Sequence, residues 1–157
     1  MRSFDTIDYQ LIALLEENAR SSIKQLAEKV FMSPPAVAGR LTRLERDGII
    51  KGYQPLFDIN ALGYNILAFV NLQVSPADKV QFLPYIASVS NVLECHSVTG
   101  DYTMLMKVCF HNMSELDMFI GELHRFGRTH TQVVFSTPVE GRGPSIPADL
   151  IRAPKEK

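Results

Sequence analysis

The sequence has little of several things, and each shortage excludes a class of molecule. Only two of its 157 residues are cysteines, Cys95 and Cys109, too few for a disulfide framework, so both are expected as reduced thiols. No apolar run is long enough to cross a bilayer, because the most apolar stretch, residues 65–74, is interrupted by Asn71 and Gln73. The first residues carry Arg2, Asp5 and Asp8 with no apolar core behind them, which is not the pattern of a secretory signal. No Gly-rich phosphate loop is present, since the nine glycines are scattered. Charge of one sign is also missing. Sixteen Lys plus Arg stand against 17 Asp plus Glu, a formal net charge of −1, which excludes a uniformly basic coat holding nucleic acid by counterion release alone. A cytoplasmic protein with no membrane partner is the expectation.

What is present describes a folded chain. The hydrophobic fraction is 46% and the charged fraction 21%, enough for one average domain or two small ones. The first third reads as three helices. Ile7, Leu11, Leu14 and Leu15 form one helical stripe, with Asp5 or Thr6 as its cap. A second stripe, Ile23, Leu26, Ala27 and Val30, follows a cap at Ser21 or Ser22. After the short connection Phe31-Met32, Ser33 caps a third helix with Pro34 at its first position, Val37, Leu41 and Leu44 as its stripe and Gly48 at its end. Residues 49–57 then read as two very short strands around a Gly-containing turn.

The later pattern has a different period. Residues 65–74, 92–99, 102–110 and 131–137 read as strands, and 77–89 and 114–126 as helices, with Pro84 expected to kink or shorten the first of these. Gly100-Asp101 between two apolar runs reads as a two-residue hairpin turn. The order βαββαβ is the ferredoxin-like pattern. The fold class is therefore α+β: residues 1–57 as a winged helix-turn-helix, 58–64 as a linker, 65–137 as a ferredoxin-like domain and 138–157 as a largely disordered tail.

The helix, short turn, helix and wing in succession fit a DNA reader. Ser33, Pro35, Ala36 and Gly39 in the N-terminal half of the third helix are small enough for close approach to base edges, and Arg40 reaches a guanine or a phosphate. Arg43 shares the flank of Arg40, Ser22 begins the preceding helix, and Lys51 on the wing either contacts phosphate or keeps an edge strand soluble. Residues 22–53 hold six Lys plus Arg against three Asp plus Glu, a local net of +3, so the remainder carries −4 of the total of −1. The bland alternative is a three-helix scaffold with a solvated charged face. Double-stranded DNA is the better-supported partner.

Other chemistry is poorly provided for. Cys95 and His96 are adjacent in a strand and point to opposite faces, while Cys109 with His111 makes only an incomplete pair, so no metal is expected. Ser97 with His96 or Asp101 lacks a group to orient the base and a nucleophile elbow, so the chain is read as no enzyme and no cofactor is expected. Met104, Met106, Met113 and Met118 read as adaptable core filling, with a repackable interface as the alternative.

In order along the chain, Ile7-Asp8, Leu26-Ala27, Ser33-Pro34, Val37 with Arg40, residues 44–50 (LERDGII) and residues 94–102 (ECHSVTGDY) resemble the Lrp/AsnC, or feast/famine, family of transcriptional regulators. The resemblance covers residues 5–137 and implies a sequence-specific DNA-binding regulator. It also implies homo-oligomers: dimers whose ferredoxin-like sheets pack together, with octamers beyond them. An amino acid as small-molecule effector is implied too, in a cleft lined by Val98, Thr99, Gly100, Asp101 and Tyr102, with Thr131 and Val133 on the last strand. Thr103 stands where the family commonly has an acidic or amide residue, which leaves Asp101 as the carboxylate for an α-ammonium group. The alternative is a metabolite-sensing assembly module or a non-specific architectural DNA-binding protein.

Overall fold

A computed structural model describes residues 4–151, so residues 152–157 of the expected tail and residues 1–3 lie outside the described residues. The chain divides into two compact units, one running to Leu56 and taking in the segment from Gly141 onward, the other Phe57–Glu140.

The first unit is built on α1 (Thr6–Glu17), α2 (Ile23–Lys29) and α3 (Pro34–Arg46). Each boundary has a local cause. Asp5 caps α1 through a reciprocal box with Asp8, and Ser22 caps α2 through the same device with Gln25. Pro34 suits the first position of α3, where its missing N–H is no loss. At the other end Gly48 adopts φ +72°, and the Gly48 and Ile49 N–H groups donate to Glu45 O and Leu44 O, each at 2.9 Å, which is a Schellman ending. Leu11, Leu26, Ala27, Val30, Val37 and Leu41 form the core, and Ile7, Leu14, Leu15, Met32 and Ile50 pack around it.

One polar group lies inside this unit. Asp8 is fully buried, and its two carboxylate oxygens take Arg40 Nη1 at 2.8 Å and Arg43 Nη2. Arg40 Nη1 also donates to the exposed Asp5 carboxylate at 2.7 Å. The pairs fasten α1 to one flank of α3.

Two expectations about this unit change. Residues 49–57 form no strand; Tyr53 instead donates its hydroxyl to Glu45 Oε1 at 2.9 Å, holding the segment against α3. The tail is not featureless either. Ala148–Ile151 forms a helical turn, α6, whose Ile151 carbonyl accepts from Gln10 Nε2 at 2.8 Å.

The second unit contains β1 (Ile66–Leu72), α4 (Lys79–Ser88), β2 (Val92–Ser97), β3 (Met104–Phe110), α5 (Met113–Leu123) and β4 (Thr129–Val133). The sheet is antiparallel in the order β2-β3-β1-β4, the ferredoxin-like arrangement that the βαββαβ sequence pattern implied. Alternation sets its faces. Ala68, Val70 and Leu72 of β1 and Met104, Met106 and Val108 of β3 pack with Phe82, Ile86, Leu116, Phe119 and Leu123 from the helices. Met104 and Met106 are thus core residues, whereas Met113 and Met118 are exposed. Helix α4 carries Pro84 inside it and begins at Lys79, two residues later than the periodicity placed it. The other face of the sheet presents Phe69, Asn71, Leu105 and Lys107, with Lys107 Nζ 3.3 Å from Glu94.

Gly127 holds the entry to β4. It adopts φ +150°, and a Cβ there would lie 1.9 Å from Gln73 O, beside the bond from Gln73 N to Arg128 O at 2.9 Å. Gly127→Ala is therefore expected to lower stability by about 2 kcal/mol or more, read by urea melts. Asp8→Ala leaves two guanidinium groups without their buried counter-charge and opens the α1 cap. A loss of about 2 kcal/mol is expected, discounted because both arginines reach water and are able to turn outward. Burial pushes the Asp5 carboxyl up, but the Asp8 N–H and the Arg40 guanidinium outweigh it and hold the group below its ordinary value. A depressed carboxyl stabilises the fold above its unfolded value. The Tm of the wild type should thus fall as pH drops below about 4, and Asp5→Asn should flatten that limb.

Candidate nucleic-acid interface and ligand loop

The chemistry of α3 depends on which way each side chain leaves the helix. At about 100° per residue, Pro35, Gly39, Thr42 and Arg46 fall opposite the buried Val37, Leu41 and Leu44. All four are exposed. Arg46 carries the long donor of this stripe; its Nε lies 3.3 Å from Asp47, and 73% of its side chain is exposed. Small residues at 35 and 39 followed by Thr42 and Arg46 make an exposed surface of low relief that carries two side-chain donors.

Arg40 and Arg43 are not on that stripe. They lie on the flank facing α1, where Asp5 and Asp8 take their guanidinium groups. The sequence reading placed Arg40 as a donor that reaches a guanine or a phosphate; in the structure a buried carboxylate thirty-two positions earlier in the chain holds it. Ser22 is similarly occupied, since its hydroxyl accepts from Gln25 N at 3.2 Å and donates to Gln25 Oε1 at 3.0 Å. Ser33 remains exposed with no side-chain cap bond, and Ala36 is half-buried beside it. Lys51 is exposed, but on an irregular segment and not on a wing strand. Thr42 and Arg46 were not singled out in the sequence, although the helical angle alone was enough to place them on this outward stripe.

In the second unit the β2–β3 connection is longer than the expected two-residue turn. Val98 N donates to Thr103 O at 3.0 Å, leaving Thr99 to Tyr102 as the loop. Paired positive φ angles at Gly100 and Asp101 would make a tight type I′ turn, but only Gly100 has one, at +110°. Asp101 is exposed at the loop tip. Tyr102 stacks on His130 with ring centroids 6.1 Å apart, and the Arg128 guanidinium lies 5.3 Å from the Tyr102 centroid. Tyr102 of the loop thus meets Arg128 and His130, both absent from the sequence reading, while the neighbouring Asp101 is exposed.

Thr103 has a different task. Its hydroxyl accepts from Val74 N at 2.9 Å and lies 3.2 Å from Val74 O, while its own N–H donates to Leu72 O at 3.1 Å. The side chain stitches the start of β3 to the end of β1. Thr131 and Val133 pair with Val70 and Ala68 and so point to the helix side of the sheet, whereas His130, paired with Asn71, points to the other side. The structure does not bring those two residues to the Tyr102 cluster. A groove of about 390 Å³ runs between α4 and edge strand β2, lined by Leu83, Ile86, Leu93, Cys95 and Met104, and Val98 to Thr103 lie outside it.

Strand geometry separates Ser97 from His96. Ser97 pairs with Met104 and His96 with Leu105, so the two side chains leave opposite faces of β2. Among the described residues no group of three or more His, Cys, Asp or Glu side chains is placed to hold a metal ion. No helix among them is long and apolar enough to cross a membrane.

With this geometry in place, comparison with known proteins is direct. Residues 67–144 match the Lrp/AsnC ligand binding domain, and residues 4–51 match a winged helix-turn-helix DNA-binding domain. The HTH-type transcriptional regulator LrpB of Bacillus subtilis is 34% identical over 123 residues, spanning 78% of this chain and 83% of LrpB. The B. subtilis regulator LrpC is 32% identical over 132 residues, 84% of this chain and 92% of its own. The solved LrpC structure superposes with a TM-score of 0.84 at 30% identity, covering 89% of this chain and 100% of LrpC. A Neisseria meningitidis transcriptional regulator solved as a complex with L-Met shares the fold, with a TM-score of 0.83 at 24% identity over 94% of this chain and 98% of its own. These matches cover both units and most of each relative, and the chain belongs to the Lrp/AsnC family of helix-turn-helix transcriptional regulators.

Proposed function

We propose that the protein is a sequence-specific regulator that reads the major groove with the outward stripe of α3 and responds to an amino acid at the Asp101–Tyr102 loop. The observation that carries the first part is the division of labour on α3. Arg40 and Arg43 are held by Asp5 and Asp8, so base contacts fall to Ser33, Pro35, Ala36, Gly39, Thr42 and Arg46, with Lys51 as a phosphate contact. This division favours specific reading over non-specific architecture, because an architectural binder depends on unpaired cations along its surface.

The effector assignment rests on complementarity. An amino acid presents an ammonium group and a carboxylate on one carbon; Asp101 of the loop suits the first, and Arg128, over the Tyr102 ring, the second. Val98, Thr99 and Gly100 supply the backbone around them. The loop is exposed in a single chain, so a closed site requires a second copy against it. That requirement agrees with a homo-oligomer, a dimer at least, formed through the helix-free face of the sheet that carries Phe69 and Leu105. Octamers, as the family resemblance implied, would add further readers. A cytoplasmic location follows from a DNA partner.

Duplexes selected by the wild type from a random pool give the test. Arg46→Ala should bind the selected duplex about tenfold more weakly and keep its Tm, while Arg40→Ala should lose stability as well. Wild-type affinity in Arg46→Ala would sink the outward-stripe reading. In a thermal-shift screen with the twenty amino acids, at least one should raise the Tm of the wild type and leave Asp101→Ala unmoved. A flat response of the wild type would mean a regulator without an amino-acid effector.

A further inference from the structure

Phe31, in the connection between α2 and α3, stands in a conformation that a bulky residue rarely adopts. Its φ is +55°, and no other described non-glycine residue has a positive φ. The side chain gains nothing from the core in return, because it is 95% exposed. On either side the chain behaves normally: Val30 is buried in the core and Met32 packs against it, so Phe31 alone is turned outward. Backbone strain of this kind persists where it serves a function. Glycine would occupy the same turn without strain.

What Phe31 adjoins decides what it does. Two residues on, Ser33 opens α3, the end that reaches deepest among the bases when such a helix docks. That end is unusually poor in donors. Pro34 and Pro35 have no N–H, and the Val37 N–H already donates to Ser33 O at 3.1 Å, which leaves the Ala36 N–H and the uncapped Ser33 hydroxyl. Phe31, Pro34, Pro35 and Ala36 therefore give this end of α3 apolar side chains, with the Ser33 hydroxyl among them. The major groove has one apolar feature, the thymine C5-methyl group.

We infer that Phe31 is a specificity-determining contact that packs against a thymine methyl at the α3 end of the bound site. The inference rests on the reading of α3 as the base-reading helix and adds to it a residue outside the helix.

The test pairs a substitution in the protein with one in the DNA. On the duplex selected by the wild type, each thymine is replaced in turn by uracil, which lacks only the methyl group. Binding is measured for the wild type, F31Y and F31G. Wild type and F31Y should lose about fourfold in affinity at one or two positions, the factor that burial of one methyl-sized group confers. F31G should be weaker on the thymine duplex, indifferent to uracil at those positions, and equal or higher in Tm because the strained φ is relieved. A uracil effect that is the same in wild type and F31G at every position overturns the inference while leaving the α3 reading intact. So does a lowered Tm in F31G, which would assign the ring to packing of the turn, or a changed oligomeric mass, which would assign it to a contact between chains. A wild type without sequence preference removes the α3 reading and this inference together.

Discussion

The first unit is organised around a single buried charge. Asp8 lies inside a small helical core, and a carboxylate there is tolerable only if its oxygens are filled. They are filled by Arg40 and Arg43 from α3 and by the Asp5 N–H at the start of α1. The same few atoms therefore cap one helix, hold the next functional helix at a fixed rotation and use up two guanidinium groups. Apolar packing among Leu11, Val37 and Leu41 has no comparable directionality and permits small rotations of α3. The ion pairs add direction to it. Rotation matters because it decides which residues of α3, here Pro35, Gly39, Thr42 and Arg46, point away from the core.

This arrangement alters the electrostatics that the sequence suggested. The +3 of residues 22–53 is calculated over a window that omits Asp5 and Asp8. Both carboxylates sit against the arginines of that window, and with them included the field of the reader is that of about one positive charge. Long-range attraction to phosphate from this window is correspondingly weak.

Much of the architecture was legible because it is written locally. The stripes of Leu11, Leu26 and Val37, the Ser33-Pro34 start and the Gly48 end each depend on residues within one or two turns. The order of strands and helices in the second unit was equally readable from the alternation in β1 and β3. What was not legible depends on distant partners. The role of Arg40 is set by Asp8, that of Thr103 by Val74, and the positions of Arg128 and His130 by the pairing of β4 with β1. Residues 49–57 form no strand, and Tyr53 among them bonds to Glu45 of α3. The placement of Thr42 and Arg46 is the exception, since the helical angle contained it and the attraction of a conspicuous Arg40 obscured it.

The tail has a consequence for the order in which the molecule is made. The segment from Gly141 onward belongs to the same compact unit as α1, although the whole of the second unit intervenes. The first unit is thus discontinuous in the chain. During synthesis α1, α2 and α3 are complete well before α6 exists, so the bond from Gln10 to the Ile151 carbonyl forms only after the ligand-binding unit has been translated. A nascent reader lacking that segment has the three helices but not their last contact, and it acquires that contact only as part of a finished regulator.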